Sequence, residues 1–569
     1  MTYKIKIYWA IFQLFFILIF FTNLEAKNIG KFFGSNDYSN YFSGIISLND
    51  EEYQSSYSFF KKLNGLEENH FNFSQNYLQT LVSLNKYSEA YKYSKKLEKK
   101  SLSSFESELI IGIYYLKNNK LDNAKKYFSK LNNRKSLGSI KNLLSTSLIN
   151  WINFNQLDFV KSQKIMNSMD PRYENLKKIQ TAFLHCYFEN KNTSKVFENL
   201  VNDPQNDFSR YNFFYANYVF STGNKNKTLK ILNETSNLYP RNLLINQFKK
   251  SISEDTIDLR LNEFNCKNIS HIIAELFYIT SNVLASEGVY NASNFFLSLS
   301  MFLNPNFTSY KTLYAENFYM NKKFEKALDI YREIKKHGQI YNWYASKQIS
   351  NILIKQDKKK QSIKYLTKVF LTIENPNVYE LFDYAEFLKN NDEFKESISN
   401  YTKILKKIDK DHKLYPEVTD GRGVAYERIG EWNKAEIDLK ASLDSSPDQA
   451  YVLNYLAYSW IEQGINIEKS LEMLRKANEI KQNDGYIIDS LGWALFKLKK
   501  YEEAKKYLEL AVRLMPSDPV VNDHYGDSLW MTGNKIQARY FWNYVLNLDK
   551  TEIDLKEKIN LKIHDGPRI

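Results

Sequence analysis

The chain has 569 residues, 43% apolar and 15% aromatic, so it carries core material throughout and disorder is excluded as the default. Its 18 glycines and 10 prolines are too few for the many tight turns of a large β-sandwich, a barrel or a loop-rich α/β enzyme, which leaves helices. The formal charge of +13 is spread as lysine among Asn, Tyr, Ile and Phe, and runs such as "KKLEKK" (95–100) and "DKKKQ" (357–361) read as solvated helix faces and turns. No aromatic–basic RNA motif accompanies them, so no nucleic-acid partner is expected.

The N-terminal residues 1–26 have the three regions of a secretory signal: Lys4 and Lys6, an apolar run from Ile7 to Phe21 broken only by Gln13, and a polar stretch ending at Ala26. The run is about fifteen residues, short for a spanning helix. Cleavage after Ala26 is expected, so that the mature chain begins at Lys27. The alternative is an uncleaved anchor through 7–21, because Leu24 is bulkier than the small residue preferred there. No Cys follows the run, which argues against a lipoprotein anchor. Beyond it, no segment approaches the ~18 consecutive apolar residues of a membrane helix. Cys186 and Cys266 would be able to pair in an exported protein, but the expectation is buried thiols in separate helices.

A small residue, followed at offsets three, twelve, sixteen and nineteen by apolar or small residues, recurs at about 34-residue steps. Gly44 with Ser56, Phe60 and Leu63 opens the series, and Leu78 with Ala90 keeps the step. Gly112, Tyr115, Ala124, Phe128 and Leu131 follow, and then Ala216, Val219, Thr228, Leu232 and Pro240. Thr280, Val283, Ala292, Phe296 and Leu299 make a further unit, as do Ala315 with Ala327 and Ala385 with Ser397. The register is strongest toward the end: Gly423, Ala435, Leu439 and Pro447; Ala457, Ser470, Leu474 and Ala477, with one residue inserted; Gly492, Ala504, Leu508, Ala511 and Pro516; and Gly526, Leu529, Ala538 and Trp542. Stretches around 140–205 and 241–270 are helical in pattern but too degenerate to align.

This pattern resembles the tetratricopeptide repeat, a helix-turn-helix unit of ~34 residues, and the resemblance implies an all-α, right-handed α-solenoid of about 12–15 tandem repeats. Two antiparallel helices approach closely only where neither side chain intrudes, which explains the Gly or Ala midway along the first helix and the Ala early in the second. Gly492 and Ala504 are expected to meet at such a crossing. The closing Pro suits the link because it cannot continue a helix. By conformity to the pattern the chain divides into degenerate repeats (27–270), intermediate ones (271–415), well-conforming ones (416–550) and a C-terminal segment (551–569). In that last segment Leu555, Ile559 and Ile563 share one face of an amphipathic helix, with Glu552, Lys556, Glu557 and Lys562 mostly elsewhere, as a cap over the last apolar groove requires.

The stretch "NDHYGD" (522–527) places Asp523, His524 and Asp527 together, as an acid/base or metal site would. In register, however, Asp420, Asn454, Asp489 and Asp523 each stand three residues before the small residue, a ladder that a first-turn position and the helix dipole would favour. His524 and Asp527 do not recur, and one His between two Asp lacks the third ligand of a zinc site. No His-x-x-x-His, phosphate-binding Gly loop or nucleophile elbow is present. In "DGRGVAYERIG" (420–430) Gly423 is the repeat glycine and no strand precedes it. No catalytic residue, metal or cofactor is expected, and no enzyme.

The resemblance implies interaction instead: a partner protein or extended peptide in a concave groove lined by first helices. The register assigns Asn454, Tyr458, Ile461, Asp489, Trp493, Phe496, Asp523, Asp527 and Trp530 to that face. The same rings would alternatively pack against neighbouring first helices. Members of the family that bind chaperones hold a C-terminal carboxylate with Lys, Arg and Asn, and the acidic ladder argues against that ligand. With export, these features suggest a scaffold of the bacterial cell envelope, periplasmic or associated with the outer membrane, or else anchored in the inner membrane and facing the periplasm. A carbohydrate-binding role for the groove aromatics is the alternative.

Overall fold

The computed structural model describes residues 34–567 except residue 64 and the stretches 133–138 and 255–262. The expected leader, its cleavage point and the alternative anchor lie outside the described residues. Among those described, the protein is all α-helical, with no strand. It divides into two compact units, Met1–Asp357 and Lys358–Ile569. That boundary falls inside the 271–415 segment drawn from the sequence, because conformity to a repeat pattern does not measure how many contacts cross a given point.

Each repeat is an antiparallel pair that crosses at a small residue, and where that residue is glycine the crossing is set by one bare backbone position. A Cβ placed on Gly492 would stand 2.7 Å from Leu508 Cγ, one on Gly526 2.5 Å from Trp542 Nε1, and one on Gly423 2.9 Å from Leu439 Cγ. Gly44 meets Phe60 and Gly112 meets Phe128 in the same way, far from the well-conforming repeats. The partner is thus the large residue sixteen positions on. For Gly492 it is Leu508, and Ala504, at offset twelve, is itself fully buried; at Gly423 the residue at that offset, Ala435, brings its carbonyl within 3.2 Å of the added Cβ.

The turn inside each pair closes by a repeated device. Lys499, Gly533 and Gly430, each seven residues past the small residue, have φ of 62°, 85° and 80°. The next N–H then donates back to the carbonyl at offset three: Lys500 to Leu495 at 2.9 Å, Asn534 to Leu529 at 2.8 Å and Glu431 to Tyr426 at 2.9 Å. This satisfies a carbonyl the helix end would otherwise leave unpaired.

The second unit opens with Lys359–Phe370 and continues as the pairs Val378–Lys389 with Phe394–Leu405, Tyr415–Arg428 with Trp432–Ser445, Ala450–Glu462 with Ile467–Ile480, Gly485–Lys497 with Tyr501–Leu514, and Pro519–Met531 with Lys535–Leu546; Ile553–Asp565 closes it. Pro447 and Pro516 lie in turns between pairs. Ala435, Ala457, Ala477, Ala504, Ala511 and Ala538 are fully buried. The apolar core here is a row of small clusters, such as Ala457, Leu474, Leu491 and Leu508, followed by Leu529, Trp542, Val545 and Ile559. Each pair therefore relies on its neighbours.

The first unit is built differently. Pairs run from Ser35–Asn49 with Tyr53–Phe60 to Tyr211–Ser221 with Lys225–Leu238, and a single cluster of buried apolar residues extends from Tyr57 to Leu313. The cause is the pair Ile269–Ser286 and Tyr290–Leu303, which packs back onto Phe71–Ser83, Phe105–Lys117 and Ser139–Phe154. Tyr87 donates to the Ser298 carbonyl at 2.8 Å and stacks on Phe302 at 4.0 Å, and Lys117 donates to the Leu303 carbonyl at 3.1 Å. Helix Ile269–Ser286 is long and apolar enough to cross a membrane by length and composition, and its burial here accounts for that apolarity.

Two sequence readings are corrected in this unit. The repeat register at 280 shifts by one: Ser281 and Ser293 are the buried small residues, and Ser293 Oγ donates to the Ser281 carbonyl at 2.8 Å, whereas Thr280 and Ala292 remain partly exposed. A serine hydroxyl thereby fits a crossing where Ala or Gly was sought. Cys186 and Cys266 are not free thiols but a disulfide, with Cα atoms 5.9 Å apart. Cys266 lies in a link and not in a helix, because Phe264 buries its ring against Phe183 and Phe214 at 5.4 and 4.6 Å and draws the link onto helix Glu174–Tyr187. Residues 139–201 also form two pairs, Ser139–Phe154 with Phe159–Asn167 and Glu174–Tyr187 with Thr193–Val201, where the pattern is too degenerate to align.

An ion pair joins the outer arc to the inner pair. Arg210 donates to both carboxylate oxygens of the fully buried Glu275 at 2.7 and 2.9 Å and to Ser309 Oγ at 2.6 Å, and its guanidinium lies 3.7 Å from the Tyr278 ring centre. Removing one partner strands a buried charge. Arg210→Met is therefore expected to cost about 3–5 kcal/mol in urea unfolding, while Arg210→Met with Glu275→Leu costs less than the single change. In the second unit, Gly492→Leu forces methylenes into Leu508 and is expected to lower stability by about 1–3 kcal/mol, read as a lowered thermal midpoint.

Candidate functional site

In the second unit first helices pack directly on one another at Val378–Lys389 with Tyr415–Arg428, at Ala450–Glu462 with Gly485–Lys497 and at Gly485–Lys497 with Pro519–Met531, and the side turned away from the second helices carries the ladder face. The ladder Asp420, Asn454, Asp489 and Asp523 lies on it, but not in the first turn. Helices Gly485–Lys497 and Pro519–Met531 are capped by Asp484 and Asp518, whose side chains accept from the next amides, and the ladder residues stand in the second turn. Dipole stabilisation is thus supplied by the caps.

Across the last two pairs the ladder is saturated by the chain itself. Asp489 faces His524 of the following repeat, with Nδ1 at 3.0 and 3.1 Å from its two oxygens. The His524 ring stacks on Trp493 at 4.0 Å, Trp493 stacks on Phe496 at 4.8 Å, and the Trp493 indole N–H donates to Glu462 at 2.7 Å. Lys562, from the closing helix, places its ammonium 2.8 Å from both oxygens of Asp523 and from Asp527 Oδ2. Beside it Arg539 donates to the Ile563 carbonyl at 2.8 Å and lies over Trp530.

Of the nine residues assigned to an open groove, Ile461, Asp489, Trp493, Phe496, Asp523 and Asp527 are therefore buried, none more than 8% exposed, while Asn454, Tyr458 and Trp530 stay partly exposed. This corrects the groove over the last two repeats. First helices there are close enough for the rings and acids of one to fill the face of the next. Of the aromatics that carbohydrate stacking would use, Trp493 and Phe496 are buried with them.

The sequence reading placed Lys562 mostly away from the cap's apolar face, yet Lys562 points inward beside Ile559 and Ile563. Its closeness in helical position to both was the available signal. The Asp489–His524 pair was legible only by laying consecutive repeats side by side, where offsets minus three and minus two meet.

Charge in this cluster does not balance without a proton. Burial opposes protonation of His524, but Asp489, backed by Asp523 and Asp527, outweighs it and raises the imidazole pKa. Burial and then the neighbouring Asp523 charge push Asp527 up to about 7 against the pull of Lys562. Three carboxylates face two cations, so Asp527 keeps its proton through mildly acidic pH. Among the described residues no group of three or more His, Cys, Asp or Glu side chains is arranged to hold a metal ion.

The tetratricopeptide repeat family model matches residues 487–518, the pair that carries Gly492, Ala504 and Leu508. Residues 487–518 are thus a tetratricopeptide repeat. Over 223 residues it is 27% identical to a TPR repeat-containing protein of Pseudomonas aeruginosa, a match covering 37% of this chain and 36% of that one, so about a third of the relative's length is spanned. Solved structures with a similar fold include a tetratricopeptide repeat protein from Parabacteroides merdae (17% identity, 39% of this chain and 85% of that one, TM-score 0.32) and a thermophilic TPR protein of Thermus thermophilus (15%, 32% and 98%, 0.28). The Cut9–Hcn1 hetero-tetramer of APC/C is another (14%, 92% and 96%, 0.36). The tetratricopeptide solenoid is a scaffold for protein–protein contact.

The proton held at this end of the second unit makes its stability depend on pH. A group whose folded pKa is raised contributes fully below its unfolded value and loses that contribution as pH rises through the folded one. For Asp527 the window runs from the ordinary value of 3.8 to about 7, and for His524 from 6.5 upward. Stability of the second unit is expected to fall between pH 5 and pH 8, by no more than about 4 kcal/mol from Asp527. Asp527→Asn should flatten the acid side of that fall in urea titrations at each pH.

Proposed function

We propose that this protein is a non-enzymatic scaffold of the bacterial cell envelope that holds a partner protein or extended peptide on the first-helix face of its second unit, around Asp420, Asn454 and Tyr458. The observation that carries the reading is the difference between filled and unfilled rungs of one ladder. Asp489 takes His524 and Asp523 takes Lys562. At the rungs before them, Asn454 Oδ1 has no hydrogen-bond partner, and burial pushes Asp420 up to about 6 against the pull of Lys389. The residues standing where His524 stands, Ser490 and Tyr455, turn elsewhere: Ser490 donates to the Tyr486 carbonyl and Tyr455 to Glu427. A donor from outside would complete both rungs, and a polypeptide with backbone N–H groups or basic side chains has the right chemistry.

Two features support an exported location: the basic start and short apolar core before Ala26, and the Cys186–Cys266 disulfide, a bond that persists in oxidising compartments.

Photo-crosslinkers placed at Asn454 and Tyr458 in living cells, followed by mass spectrometry, test the binding reading. Recovery of a protein at both positions is expected, and its absence at both, with efficient labelling elsewhere, would sink the proposal. Fractionation with N-terminal sequencing and a non-reducing gel tests location. Intact, reduced chain in the cytoplasm would contradict export.

A further inference from the structure

The closing helix Ile553–Asp565 is held in an unusual way for a helix of this protein. Only Ile559 is fully buried, Leu555 and Ile563 are partly covered, and Ile553 and Leu561 are 75% and 52% exposed. Helix Gly485–Lys497, of equal length, buries nearly every side chain. Beside the apolar contact at Ile559 the closing helix is held by polar ones: Lys562 on Asp523 and Asp527, and Arg539 on the Ile563 carbonyl. Just past its end, Gly566 lies against the Trp530 indole, where a Cβ would not fit.

Beneath it lies a socket belonging to other elements. Leu529, Ala538, Trp542 and Val545 form its apolar floor, with Trp530 and Phe541 at its sides. Its polar rim holds Asp523 and Asp527, and the second Asp527 oxygen, Oδ1, is buried without a partner. Without Lys562 the rim has three carboxylates, Asp489 included, against His524 alone, so whatever covers the socket must bring a cation as well as apolar area.

We propose that this socket is a docking site for a partner protein's amphipathic helix carrying a lysine three residues after a buried Ile or Leu, and that the closing helix Ile553–Asp565 is the resident competitor that occupies it until displaced. The proposal rests on the scaffold reading and adds to it the chemistry of one partner segment. Charge complementarity selects the occupant. Lysine reaches both carboxylates from one helical position, and an acidic helix would meet repulsion in a buried site.

The probe is a fluorescein-labelled peptide with the chain's own sequence from Thr551 to Pro567, added to the full-length protein and read by anisotropy. Wild-type protein should bind it weakly. The full-length Lys562→Glu variant, in which like charges expel the resident, should bind it at least tenfold more tightly, and adding Asp523→Asn and Asp527→Asn should remove that gain. Equal binding by wild type and Lys562→Glu overturns the proposal, as does equal binding of a peptide that itself carries Lys562→Glu. Should Lys562→Glu fail to fold, hydrogen exchange on wild type decides: saturating peptide should speed exchange within 553–565 at least tenfold, and unchanged exchange overturns it. Dimers formed by trading closing helices between copies would make the occupant a second chain and overturn the assignment to a partner. Peptide failure alongside crosslinks at Asn454 and Tyr458 defeats this inference alone, whereas missing crosslinks alongside peptide binding defeat the scaffold reading at that face.

Discussion

The close approach of two helices at one bare backbone position governs this protein. Where Gly492 lies under Leu508, or Gly44 under Phe60, the absence of a side chain lets the second helix settle onto the first, and the large residue sixteen positions on fills the space. The left-handed turn residue seven positions after the bare one brings the chain back at the right angle, as the recurrent hydrogen bonds from Lys500 and Asn534 show. Pairs closed this way expose a first-helix flank that only the next pair can cover, so stacking is obligatory. The demand is for small size and not for a residue type, which is why Ser293, bonded to the Ser281 carbonyl, serves as well as Ala.

Stacking has opposite consequences in the two units. In the second, each interface is its own small cluster and burial proceeds along the row. In the first, the pair Ile269–Leu303 folds back onto earlier pairs, so one core runs from Tyr57 to Leu313 and the inner flank of the arc is occupied by the chain. Several polar groups of that pair find partners within the chain: Ser300 donates to the Ala274 carbonyl, Asn317 donates to Asn294 Oδ1, and Arg210 neutralises Glu275. The disulfide fastens the link that leads into it.

Close first helices also decide the chemistry of the candidate face. Where neighbouring rungs meet, polar side chains that would otherwise face solvent are buried, and they persist only with partners: Asp489 with His524, and Asp523 and Asp527 with Lys562. Where no partner is supplied, at Asn454, an acceptor is left over. Binding capacity in this unit is therefore a matter of which rungs the chain has already filled.

Helix content, the 34-residue step and the crossing residues of the later repeats were legible in the sequence, because they depend on spacing along one chain and on side-chain size, both local quantities. The pairing of Gly526 with Trp542 needs nothing beyond a sixteen-residue offset. Tertiary structure alone decided the rest. That Cys266 reaches Cys186 depends on Phe264 settling between Phe183 and Phe214 from a link of no regular period. That Trp493 is core and not groove depends on how near the next first helix stands, which periodicity does not encode. That Lys562 reaches two aspartates 35 and 39 residues before it depends on the closing helix turning its last turn onto their face. Spacing determines which side chains share a helix face; only the packed neighbours determine whether that face meets solvent, a partner or the chain itself.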